Sequence, residues 1–350
     1  LDGDLYVATV YGQLYVYRGM GPGDPVPNLG GDDGAVPSQP FMQEGEGGNT
    51  TVLYSGSFPV MAADQTDTLL PLACCEDGVH VLDKATLSLV YKIQTRGQAQ
   101  DVRTFGSTLY VAEGAQGVGV YSLQGKTPVE IGRYVCEKGI YQIAVSHKGH
   151  FLTVACGSDE VRMLSVSDPA SIGEIYRHSV TNGPLYGNNL ASTTLDDGTM
   201  ILFWHKNGLC YTNPEQGDDR FHFVSYAKKR GFCGYCNGEG IESDGKRIFY
   251  SHKGAYSLLD VNDPDGTFLE DKPQGTVCPS FRGLLSLQGN RMVATQRSTG
   301  EIRALDIANA ESPTVLSHVK TNASPAKAIF CGNRILIPGG RSGLLELKIQ

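Results

Sequence analysis

Leu109-Tyr110-Val111-Ala112, Glu113-Gly114-Ala115-Gln116-Gly117 and Val118-Gly119-Val120-Tyr121 decide the fold. Two runs rich in β-formers flank a turn that ends in glycine, the pattern of a hairpin. The shape recurs as LYVATVYGQLYVY at 5–17, LLPLACCEDGVHVLD at 69–83 and LTVACGSDEVRMLS at 152–165. It returns as ILFWHKNGLCYTN at 201–213, IFYSHKGAYSLLD at 248–260, MVATQRSTGEIRALD at 292–306 and ILIPGGRSGLLELKI at 335–349. The turns close on Gly12, Gly78, Gly117, Glu160, Gly208, Gly254, Gly300 and Gly343, with spacings of 39–48 residues after a first of 66. A strand-rich repeat of that period is the mark of propeller blades. Glycine suits these turns because positive φ costs it nothing; Glu160 implies a turn built differently.

Each hairpin is followed by an outer strand, such as Val129–Tyr134, and an inner one, such as Tyr141–Val145, which makes four strands per unit. Helical periodicity is almost absent, which excludes a barrel of alternating strands and helices. The expected architecture is all-β: one propeller domain over residues 1–350, of eight blades or alternatively seven, closed by its N- and C-terminal strands. Residues 19–50, rich in Gly, Pro and acids, read as a flexible insertion in the first blade, or as a partner-binding arm.

GSTLYVAEGAQGVGVYSLQGKTPVEIGRY at 106–134 resembles the LVIVD repeat, a propeller-forming unit. VRMLSVSDPASIGEIYRH at 161–178 carries its Val-Ser-Asp-Pro turn, and 256–266 and 302–319 match the same segment. Residues 185–237 lack the Asp-Pro turn and the first unit is interrupted. The resemblance implies a scaffold without shared catalytic residues, in proteins often secreted or surface-attached.

The 350 residues carry a net charge of −8, with no Lys or Arg from Gly19 to Leu82. This acidic balance argues against nucleic acid, which requires clustered cations; Lys228-Lys229-Arg230 is the one compact basic run and reads as a solvated loop. No apolar run reaches the ~18–20 residues of a membrane span. The chain starts at Leu1, which reads as a processed or excised segment.

Of nine cysteines, Cys74 and Cys156 occupy equivalent places at strand ends and read as core packing. Cys233-Gly-Tyr-Cys236 is a disulfide candidate; it lacks the second ligand pair of a zinc site. Asn49 and Asn322 stand in glycosylation sequons. Asp260–Gly266 fails the spacing of a calcium loop. His205 and His252, in matching turns, follow from repeat ancestry. No nucleophile elbow, Walker loop or dinucleotide fingerprint is present.

Propeller enzymes place their sites over the central channel, at the starts of the innermost strands. Here those starts include Gln100, Asp101, Gln142, Asn188, Asn189, Glu239, Arg282 and Lys327. Polar groups are ordinary where strands end in water, so the first expectation is a non-enzymatic scaffold. It presents loops to a protein or glycan partner in an extracellular or surface assembly and needs no cofactor. The alternative is a metal-dependent hydrolase, similar to propeller lactonases, with Asp101, Asn188 and Glu239 as oxygen ligands. A cytoplasmic location is the alternative to a secreted one.

Overall fold

The computed structural model describes residues 5–8, 14–17, 48–125, 127–157, 159–179, 190–204, 208–223, 240–245, 247–252, 255–260, 283–310 and 313–349. The chain divides into two compact units, residues 1–35 and 36–350. In the first, β1 (Leu5–Ala8) and β2 (Leu14–Tyr17) form an antiparallel hairpin.

The second unit is a β-propeller. After β3 (Gly48–Tyr54), the first sheet holds β4 (Ala62–Ala63), β5 (Leu69–Ala73), β6 (Val79–Asp83) and β7 (Leu89–Ile93). The second holds β8 (Asp101–Phe105), β9 (Thr108–Ala112), β10 (Val118–Ser122) and β11 (Val129–Tyr134). In the third lie β12 (Ile140–Val145), β13 (Phe151–Cys156), β14 (Glu160–Ser165) and β15 (Gly173–Ser179). The fourth comprises β16 (Leu190–Thr194), β17 (Met200–Trp204), β18 (Gly208–Thr212) and β19 (His222–Phe223). Three strands, β20 (Gly240–Ser243), β21 (Arg247–His252) and β22 (Ala255–Asp260), are described in the fifth. The sixth has β23 (Leu284–Gln288), β24 (Arg291–Gln296), β25 (Glu301–Asp306) and β26 (Thr314–Lys320). The last joins β27 (Ile329–Cys331), β28 (Arg334–Pro338) and β29 (Leu344–Ile349) to β3.

All eight expected hairpins exist as antiparallel pairs, but they do not make eight blades. Among the described residues six sheets are complete blades of four strands, in place of the expected eight or, alternatively, seven. The reason is that the first hairpin, β1–β2, forms a two-stranded sheet of its own, and the fifth sheet shows three strands. Closure by the terminal strands is corrected too. The sheet of C-terminal strands is completed by β3, whose Gly48 and Tyr54 lie opposite Ile349 and Leu344. Gly48, Asn49 and Thr50, the end of the stretch read as an insertion, are therefore strand; residues 19–47 lie outside the described residues.

The middle strands explain the legibility of the hairpins. β5 and β6, like β9 and β10, are buried along nearly their whole length, because each sheet packs a neighbour on both faces. Outer strands such as β7 and β15 are mostly exposed. The pairing of third with fourth strand slips at one equivalent place in four sheets, Val81/Leu82, Val120/Tyr121, Met163/Leu164 and Ala304/Leu305, and in the last sheet at the start of β29, Leu344/Leu345. A bulge there bends the outer strand.

Gly78, Gly117, Gly300 and Gly343 have φ of 73°, 82°, 75° and 82°. Each also faces a carbonyl of its sheet's outer strand. A Cβ on Gly343 would stand 2.1 Å from the Tyr54 oxygen, and one on Gly117 2.0 Å from the Tyr134 oxygen. Glu160 differs as expected: it is strand, and Gly157 (φ 55°) supplies the left-handed residue of that turn.

Gly343→Ala is expected to cost roughly 2–4 kcal/mol, since left-handed backbone and a blocked carbonyl act together. Urea unfolding measures it; a loss under about 0.5 kcal/mol would contradict the account.

Candidate functional site

The channel mouth is built by register. Gln100 N donates to Ala112 O (2.8 Å), Met61 N to Ala73 O (2.8 Å) and Ala326 N to Pro338 O (2.7 Å). These equivalent bonds set Ala62, Asp101 and Lys327 at one level in three sheets, and Gln142, opposite Ala155, takes the same place in the third. Two residues further along the innermost strands stand Asp64, Arg103 and Glu242.

Asp101 is buried, and its carboxylate is fully engaged. Oδ1 accepts from Arg103 Nη1 (2.8 Å) and Val102 N (3.0 Å), and Oδ2 accepts from Ile143 N (3.1 Å) of the third sheet. Burial pushes its carboxyl upward, against the Arg103 charge and these amides. Burial alone would lower the Arg103 guanidinium, but Asp101, Asp64 and Glu242 together raise it, so it stays protonated. Lys327 forms an ion pair with Glu242, reaching past the sixth sheet. Asp64 Oδ2 accepts from Thr104 N (2.7 Å) and its hydroxyl (3.1 Å). Arg297, in the hairpin turn of the sixth sheet, donates from Nη2 to Met61 O (3.0 Å).

Of the expected mouth residues, Asp101, Gln142 and Lys327 are placed together by the ring. Asn188, Asn189, Glu239 and Arg282 lie outside the described residues, as do Cys233 and Cys236. Asn49 and Asn322 are both exposed, Asn49 within β3. Among the described residues no three His, Cys, Asp or Glu side chains group as metal ligands, and no helix is long and apolar enough to cross a membrane. Strand alternation would have pointed to Arg103 and Glu242. Nothing local marks Arg297, which reaches the mouth from a turn.

Elsewhere, polar clusters tie sheets together. Tyr134 OH donates to Glu174 Oε2 (2.8 Å) and accepts from Arg162 Nη1 (2.8 Å), linking the second sheet to the third. At the corresponding place on the seam, Tyr54 OH lies 2.7 Å from His80 Nδ1, whose Nε2 is 2.7 Å from Asp77 Oδ2. An imidazole that gives its Nε2 proton to Asp77 accepts from Tyr54 at Nδ1. Glu113 is wholly buried; it accepts two bonds from Arg133, one from Tyr121 OH (2.6 Å) and one from Arg96 N (2.9 Å).

The cysteines at 74, 75, 136, 156, 210 and 331 are buried free thiols. Burial pushes Cys74 and Cys210 to about 12 and Cys75 to about 11, which makes them inert packing groups at neutral pH.

No known protein family and no curated protein matches the chain. Solved structures do. Virginiamycin B lyase from Staphylococcus aureus superposes with a TM-score of 0.64 at 10% identity, over 87% of this chain and 99% of the lyase. The β-propeller domain of Cps50 (Swd1) from Myceliophteria thermophila gives 0.62 at 13%, over 86% and 100%. The computationally designed Ika8 protein gives 0.55 at 10%, over 85% and 98%. At these identities the likeness establishes the β-propeller fold and nothing of the chemistry.

Burial lowers the His80 imidazole below its ordinary value although Asp77 opposes this. A histidine held neutral contributes its stability in full above the unfolded value of about 6.5 and loses it as pH falls toward the folded one. Wild-type stability should therefore decline between pH 7 and 5, and His80→Gln should show a clearly smaller decline; His178, also lowered by burial, contributes in the same direction. Equal slopes in urea titrations of the two proteins would refute the assignment.

Proposed function

We propose that this chain is a non-enzymatic interaction module, a rigid propeller presenting the turns and channel mouth of one face to a protein partner in an extracellular or surface assembly. The observation that carries the reading is how the described channel carboxylates are used. Asp101 is bonded to Arg103 and two amides, and Glu242 is paired with Lys327. A carboxylate committed to a cation and to backbone donors is a poor general base and a poor metal ligand, since either role first requires breaking those bonds. The charges instead cross-link sheets and fix the shape of the face. The turns around it, 74–78, 113–117 and 339–343, are held by glycine geometry and backbone bonds, and loops on a rigid frame are where propellers carry recognition.

A panel of lactones and esters, each with Ca²⁺, Mg²⁺ or Zn²⁺, separates this reading from a metal-dependent hydrolase. The module reading predicts no turnover and no metal-dependent rise in Tm. Turnover with any metal that is abolished in Asp101→Asn would overturn it.

A further inference from the structure

We propose that the channel mouth is a binding site for an oxyanion, a carboxylate or phosphate group on the ligand, with Arg297 as its recognition residue. The inference deepens the reading of this face as the binding face and rests on it. Arg297 stands in the hairpin turn after β24, and its Nη2 bond to Met61 O spans from the sixth sheet to the entry of the first sheet's innermost strand. Its neighbourhood is fixed: Ser324 Oγ donates to Arg297 O (3.4 Å) and Thr295 Oγ1 to Ala326 O (2.8 Å), so the segment carrying Lys327 runs beside it. The guanidinium is near enough to Asp101 to act on that carboxyl electrostatically.

Three features make Arg297 unlike the other cations of the channel. Arg103 has Asp101 and Lys327 has Glu242, whereas Arg297 meets no carboxylate among the described residues; its one bond is to a neutral carbonyl. Its Nε is buried and has no hydrogen-bond partner among the described residues. A buried charged donor left unpaired is costly, and such groups in folded proteins are commonly completed by a ligand or ion. Finally, Asp101, the acid on which the Arg297 charge acts, already has its oxygens bonded to Arg103, Val102 N and Ile143 N, so it does not supply the missing acceptor.

An oxyanion answers all three features. Its coplanar oxygens match the guanidinium fork, accepting from Nε and a neighbouring nitrogen. Lys327 at the rim is already paired with Glu242, so the charge left for the oxyanion is that of Arg297. A cation would gain little here, since the carboxylates are committed, and an apolar group would leave Nε unpaired.

The test uses the whole chain and measures Tm and calorimetric binding with sodium acetate and sodium phosphate against sodium chloride at matched ionic strength. Wild type should bind one or both oxyanions, with a Tm rise that chloride does not give; the better of the two names the carboxylate or phosphate source. Arg297→Ala should weaken binding at least tenfold, and Arg297→Lys, which keeps the charge but loses the fork, should fall between. If Arg297→Ala fails to fold, the Lys variant carries the comparison alone. No oxyanion-specific effect in wild type, or equal effects in wild type and a folded variant, overturns the proposal. That failure leaves the interaction-module reading standing, whereas ester turnover sinks that reading and leaves the anion site intact.

Discussion

A ring of sheets holds only if its last member grips its first. Here that grip is a pair of backbone hydrogen bonds, Val60 N to Gly340 O and Gly340 N to Val60 O, both 2.9 Å. The same reciprocal pair recurs between consecutive sheets, as Cys75 with Ala99 (3.0 and 2.9 Å) and Gly114 with Ile140 (2.9 and 2.8 Å). In each case a left-handed turn residue clasps the strand entering the next sheet, with φ of 55° at Cys75, 59° at Gly114 and 61° at Gly340. The closing contact is thus the ordinary inter-sheet contact, made between residues 280 positions apart in sequence. β3 reinforces it by completing the last sheet, and Tyr54, at the end of β3, adds the bond to His80 of the first.

The channel inherits its chemistry from this closure. Once the sheets are in register, equivalent positions of the innermost strands face one axis, and unlike charges on different sheets meet. Asp101 bonds the amide of Ile143, Lys327 pairs with Glu242, and Arg297 reaches Met61. Each contact joins two sheets, so the polar lining is structural before it is anything else. Function, in this architecture, resides in whatever charge the lining leaves over.

The hairpins were legible because two local rules coincide in them. The middle strands are buried on both faces and read as unbroken apolar runs, and their turns demand glycine twice over, for φ and for the approach of an outer-strand carbonyl. The innermost strands were harder: β4 has two residues and β27 three, too few for a period to show. β3 was missed because its value as a strand lies in β29, nearly 300 residues away, while its flank is rich in Gly and acids. The blade count failed for a related reason. Nothing local in LYVATVYGQLYVY at 5–17 distinguishes the core of a four-stranded sheet from a two-stranded hairpin. Cys75 escaped notice because a cysteine stands where equivalent sheets have glycine, and Arg297 because long-range reach leaves no trace in spacing.

Native-state hydrogen exchange across the seam tests ring closure most directly. The account predicts that the amides of β3, β29, Val60 and Gly340 exchange through one shared opening, with free energies that fall together as denaturant is added. Exchange of the β3 amides at the rate of exposed loops while β29 stays protected would contradict it.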